Sequence, residues 1–292
     1  MLIKPTTGER MFNICNISFM IFLILVMLYP LVNTIAVSFS SSIDVISGRV
    51  NLWPVNFQTD TYTYVMGDKR FINSFLQTIY FTAFITVIQT VMSMAFAYPL
   101  SKSFLKGRGL IMNVLVFLML FGGGGFIPSY LLIKSLGLIN SYWALWLPAA
   151  INIWHVIIFR NFFSQLPEGL EEAASIDGAS PFRTFFQIVV PLSMPVIAAL
   201  ALFNAVGGWN TFFNSIIYLD EKKQLLQVYL REIIQVGTIT SSTGQTIERE
   251  VDAIAPDQVK AATLMLTTLP ILLVYPFVQK YFVKGMMVGS IK

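Results

Sequence analysis

Six apolar runs punctuate the chain, at about residues 11–38, 72–100, 110–133, 141–163, 187–206 and 259–279. Each reaches about 20 residues or more, enough to cross the hydrocarbon of a bilayer as an α-helix. Lipid offers the backbone no hydrogen bonds. A helix pairs its own N–H and C=O groups and is therefore the expectation for every run. The pattern predicts an all-α, polytopic membrane protein with six transmembrane helices, forming a single transmembrane domain over residues 1–292.

The polar stretches between the runs give an orientation. The loop 101–109, SKSFLKGRG, holds Lys102, Lys106 and Arg108 and no acid. Short loops rich in Lys and Arg stay in the cytoplasm. Lys4 and Arg10 precede the first run, so it too is expected to start inside. Six crossings then leave both termini cytoplasmic. The longer polar segments 39–70 and 220–258 face outward, the first with short helices at the membrane surface. A signal peptide is the competing reading of the first run, but the run is too long and no small-residue cleavage site follows it.

Glycine and proline mark where the helices should yield. Gly122–Gly125, followed by Pro128, predicts an unwound segment or close helix contact in the third span. Gly207-Gly208 should loosen the end of the fifth, which runs on as NAVGGWNTFFNSIIYL, and Pro270 and Pro276 should break the sixth.

Composition agrees with a membrane protein. The chain is 55% hydrophobic and 12% charged, with a mean hydropathy of +0.70, against about 25% charged residues in soluble domains. The net charge of +4 is scattered and suggests no nucleic-acid surface. One cysteine, Cys15, and one histidine, His155, give no intrachain disulfide, cysteine cluster or two-histidine zinc motif, so no metal site is expected. No G-x-x-x-x-G-K-[ST] loop is present, so the chain should not hydrolyse ATP itself.

One polar interruption has a tight local plan: Leu166 to Pro195, LPEGLEEAASIDGASPFRTFFQIVVPLSMP. Pro167 suits the first turn of a helix. Glu168, Glu171 and Glu172 follow where the helix dipole favours negative charge. Gly178 can end the helix in a left-handed cap, and Ser180-Pro181 can start another. On this reading alone, the hairpin at about 164–186 is a connection between two spans and Glu172 an ordinary first-turn acid.

Glu172-Ala173-Ala174, Gly178, Ile188 and Pro191 match the EAA-G-I-x-x-P signature, and over nearly its full length the chain resembles the smaller permease subunit of maltose-type carbohydrate ABC importers. The Asp177-Gly178-Ala179 and Pro191–Pro195 stretches are similar to the carbohydrate branch. The Gly-rich third span and the GGWN element resemble members that handle larger, including acidic, oligosaccharides. The resemblance implies the ABC type I importer permease fold, a location in the bacterial inner membrane, and a transport subunit without catalysis of its own. It implies a second permease, a different chain, and two ATPase subunits that bind ATP and Mg. It also implies an extracytoplasmic solute-binding protein contacting 220–258, and an oligosaccharide substrate. Glu172, Ala173, Ala174 and Gly178 would couple to the ATPases through a cytoplasmic helix, and the tail through Gly285–Lys292 would reach the ATPase interface. That tail could equally be a cationic anchor.

Polar and aromatic groups inside a bilayer point to a substrate path, through hydrogen bonds to hydroxyls and stacking on sugar rings. The candidates are Asn204, Gly208, Trp209, Asn210 and Asn214, followed by Asn152 and Trp154. The competing reading makes Trp209 an interfacial belt residue and the asparagines helix glue. His155 reads as packed or interfacial. Two other functions remain in view. A polytopic membrane enzyme would need a gathered set of acids, histidines or a nucleophile. A secondary transporter would need ionisable groups within its spans.

Overall fold

The N-terminal helix begins where its cap chemistry dictates. Thr6 accepts from Glu9 N–H at 3.3 Å while its own N–H donates to the Glu9 carboxylate at 2.7 Å, a reciprocal capping box. The computed structural model describes residues 6–122, 124–243 and 254–288. Gly123, residues 244–253 within the 220–258 segment, and residues 289–292 of the tail, Lys292 among them, lie outside the described residues.

The helices are, in chain order, α1 (Thr7–Ser38), α2 (Ser42–Ile46), α3 (Asp60–Gly67), α4 (Lys69–Ser101), α5 (Arg108–Phe121), α6 (Phe126–Ser135), α7 (Trp143–Ala149), α8 (Ile153–Phe163) and α9 (Glu168–Ile176). There follow α10 (Pro181–Thr184), α11 (Val190–Leu192), α12 (Met194–Trp209), α13 (Phe213–Tyr218), α14 (Leu226–Thr243) and α15 (Pro256–Val288). No strand occurs among the described residues. Among the described residues, three helices are long and apolar enough to cross a membrane alone: α1, α4 and the first part of α15. Three bent pairs, α5 with α6, α7 with α8, and the α10–α11 segment with α12, bring the number to six. With each bent pair taken as one span, the described residues offer the six candidate spans expected from the apolar runs.

Two expectations about breaks need correction. The fifth span does not loosen at Gly207-Gly208. It bends by 82° between Leu192 and Met194, and α12 runs unbroken through both glycines to Trp209. Pro195 sits in the first turn of α12, where its missing N–H costs nothing. A π-helical turn, Phe185–Val189, precedes the bend. The sixth helix is likewise continuous over Pro270 and Pro276. The glycine run in the third span does unwind: Phe121 ends α5 and Phe126 opens α6, with Gly122, Gly124 and Gly125 all at positive φ.

The described residues divide into two compact units, 1–72 with 230–269, and 73–229 with 270–292. In the first, α1 leaves most of its apolar side chains exposed, as a lipid-facing helix must. Phe39 stacks on Phe57 and Tyr62, with ring centroids 5.2 and 4.7 Å apart. Gln258 is buried and tied on both sides of its amide: its carbonyl accepts from Ser42 Oγ at 2.6 Å and Ala255 N–H at 3.1 Å, and its NH2 donates to the Ser40 carbonyl. Asp44 accepts from the Ser41 hydroxyl and the Asn56 amide, and Arg49 lies 3.7 Å away. These groups hold its carboxyl below the usual carboxylate range.

The second unit carries two apolar cores. One gathers Met94, Ala97, Val156, Phe159, Phe163, Val189 and Leu200 from α4, α8, the π turn and α12. The other centres on Trp146, ringed by Tyr80, Phe81, Phe84, Tyr142 and Trp143.

Candidate functional site

Two features of the second unit bear on function: the α9–α10 hairpin and a polar cavity within the spans.

The hairpin is built from local signals. Pro167 stands at the N-cap of α9, one position before the first turn. At the other end, Ala179 N–H donates to the Ala174 carbonyl at 2.9 Å and Gly178 N–H to that of Ser175 at 3.1 Å. This pair of bonds is the Schellman closure of a helix. It requires the left-handed φ of +76° at Gly178. Ser180 then caps α10 by accepting from Arg183 N–H at 3.3 Å, with Pro181 in the first turn.

The hairpin's two faces differ. Glu172, Ala173 and Gly178 are exposed, and Ile176 is 87% exposed. Ala174 is buried and Glu171 half-buried on the inner side. Glu171 makes an ion pair with Lys102 at the end of the second span, and Tyr98 Oη donates to its other oxygen at 3.4 Å. In the sequence Glu172 and Lys102 stand out separately, and nothing local marks the Glu171 contact, which joins residues 69 apart in the chain.

The cavity has a volume of about 290 Å³ and lies among α4, α7, α8, α12 and α13. Of the seven residues proposed for a substrate path, it is lined by four: Asn152, Asn204, Gly208 and Asn214. Gln89, His155 and Thr211 complete its polar wall. Asn152 is fixed as the N-cap of α8, accepting from His155 N–H at 3.2 Å. Asn204 donates to Thr90 Oγ1 at 3.0 Å and so also ties α12 to α4. His155 is 2% exposed, and its Nδ1 has no hydrogen-bond partner among the described residues. A buried polar atom without a partner is costly unless a ligand or water meets it.

The other three candidates lie elsewhere. Trp209 is buried edge-on against Phe75 with centroids 5.8 Å apart. Trp154 is half-exposed and meets Phe203 edge to face. Asn210 bonds the Val206 carbonyl and accepts from Gln227. Gln89 and His155 were legible only as polar residues within apolar runs, a signal that points inward without naming a site.

Comparison with known proteins accords with this arrangement. Residues 61–288 match the family described as binding-protein-dependent transport system inner membrane component. The chain is 44% identical to Protein LplC of Bacillus subtilis over 289 residues, covering 98% of this chain and 97% of that one. It is 41% identical to the polygalacturonan/rhamnogalacturonan transport system permease protein YtcP of the same organism, covering 97% and 99%. Among solved structures, a bacterial ABC transporter involved in the import of the acidic polysaccharide alginate superposes with a TM-score of 0.87 at 30% identity, covering 96% of this chain and 99% of that one. Six spans, the hairpin and a match over most of its length make this chain a member of the family of binding-protein-dependent transport system inner membrane components, with the ABC importer permease fold.

Proposed function

We propose that the chain is one of two permease subunits of an ATP-driven importer, passing an oligosaccharide delivered by a solute-binding protein. The observation that carries this reading is the α9 hairpin, which presents Glu172 and Ala173 outward on a short helix of small residues. Such a helix fits a cleft on a partner and can be moved as a body when that partner closes. The partners are two ATPase subunits, which supply ATP and Mg, and a second permease of different sequence. In this reading the hairpin and both termini are cytoplasmic in the bacterial inner membrane, and 39–70 and 220–258 face outward. Lys292 reaches the ATPases with the tail.

The substrate path runs through the cavity of Asn152, Asn204, Gly208 and Asn214. Neutral amides suit sugar hydroxyls, because each offers both donor and acceptor. The named relatives that handle polygalacturonan, rhamnogalacturonan and alginate favour an oligosaccharide, acidic ones included. One test is affinity purification of the tagged chain from its native membrane in mild detergent. Two ATPase subunits and a second permease are expected to co-purify in fixed ratio. A chain that purifies alone and moves substrate down an ion gradient would favour the secondary-transporter reading instead.

A further inference from the structure

The inner face of α9 touches its own subunit in an unusual way. Lys102 closes the second span and pairs with Glu171. The Lys102 Nζ also lies 4.5 Å from the centroid of the Tyr98 ring, and Tyr98 donates to Glu171. Both charged side chains are largely shielded, at 17% and 24% exposure. The end of α4 is itself anchored. Arg160 Nε donates to the Leu100 carbonyl at 3.5 Å, and Ser164 Oγ to that of Ser101 at 3.3 Å.

Next to this pair the hairpin is not packed shut. A cavity of about 630 Å³ opens there, lined by Pro99, Phe104, Leu105, Phe182 and Phe185 together with the two charged residues. A helix beside so large a space is not held by apolar contact on that side. Without the pair, α9 could tilt into the void and absorb a push instead of passing it on. With the pair, the exposed face at Glu172 and the end of α4 move together.

We propose that Lys102 and Glu171 are positioning residues that lock the coupling helix to the second span, so that ATPase closure reaches the spans. The proposal rests on the coupling reading of α9 given above. It assigns the pair no contact with ATPase or sugar. Its action is through the geometry of α9.

The experiment uses the whole importer complex in proteoliposomes and reads sugar taken up per ATP hydrolysed. Lys102→Met and Glu171→Gln are expected to keep the ATPases bound. Each should lower uptake per ATP about tenfold, the scale of losing a charged hydrogen bond. Lys102→Arg keeps the charge and should stay near wild type. The exchange Lys102→Glu with Glu171→Lys should restore most of the ratio, whereas a merely structural role would cost assembly and leave uptake per ATP unchanged. Unchanged ratios in both single variants overturn the proposal. So does an exchange as poor as the singles, and so does loss of the ATPases from the single variants. Glu172→Ala serves as the separate control. If it leaves uptake per ATP unchanged, the coupling reading itself fails, whatever the pair does.

Discussion

Gly208→Val is expected to abolish uptake. A Cβ at this position would lie 2.8 Å from Ile85 Cγ2 and 3.4 Å from Thr82 Cα. The first distance is closer than real contacts allow, and the second atom is backbone. The glycine therefore permits the close approach of α12 to α4, the role small residues play where membrane helices touch. Adding the branched side chain must separate the two helices or fill the cavity they share. Overpacking of this kind costs about 1–3 kcal/mol, and the same displacement would disturb Asn204 and its bond to Thr90. Gly208→Ala should lower uptake and thermal stability less severely. Ile85→Ala combined with Gly208→Ala should recover stability, because it removes the methyl that clashes. Wild-type uptake by Gly208→Val would show that the cavity is not on the substrate path.

The second large effect is expected at Gly178. Nothing lies within 4 Å of a Cβ added there, so space is not the constraint. Its φ of +76° is. An L-residue held in that region costs about 1–2 kcal/mol, and a β-branched one is the worst case. Gly178→Val should unwind the last turn of α9, carry Glu172 out of place, and reduce ATPase co-purification more than tenfold. Gly178→Asn should be far milder, since asparagine visits the left-handed region. Equal loss in both variants would point to side-chain bulk at a docking surface instead of backbone geometry.

The hairpin was legible because its signals are local. Cap residues act within three or four positions, so Gly178, Ser180 and Pro181 could be read directly, and the structure places each in its cap. The six spans were legible for a related reason, since length and hydropathy alone decide whether a run can cross a bilayer. Position within a span was not. Gly207-Gly208 suggested a loosened helix, yet Gly208 serves close packing and the bend falls at Ser193 instead. A glycine in an apolar run signals either outcome, and only the neighbouring helix selects between them.

Rotation of the helices was equally hidden. The spans are apolar all round, so no stripe told which of Asn204, Trp209 and Asn210 turned inward. The structure puts Asn204 in the cavity wall and Trp209 against Phe75. The acids of the hairpin posed the same problem at shorter range. Glu171 and Glu172 are neighbours in sequence, but about 100° of helical turn sends one to Lys102 and the other to solvent. Long-range partners of this kind leave no local trace.

The most direct measurement is oligosaccharide uptake by proteoliposomes that contain the complete complex, with binding protein outside and ATP inside. The account predicts uptake that needs both, with no dependence on an ion gradient, and that disappears in Glu172→Ala although the permeases remain assembled. Uptake without ATP, driven by a proton or sodium gradient, would contradict it.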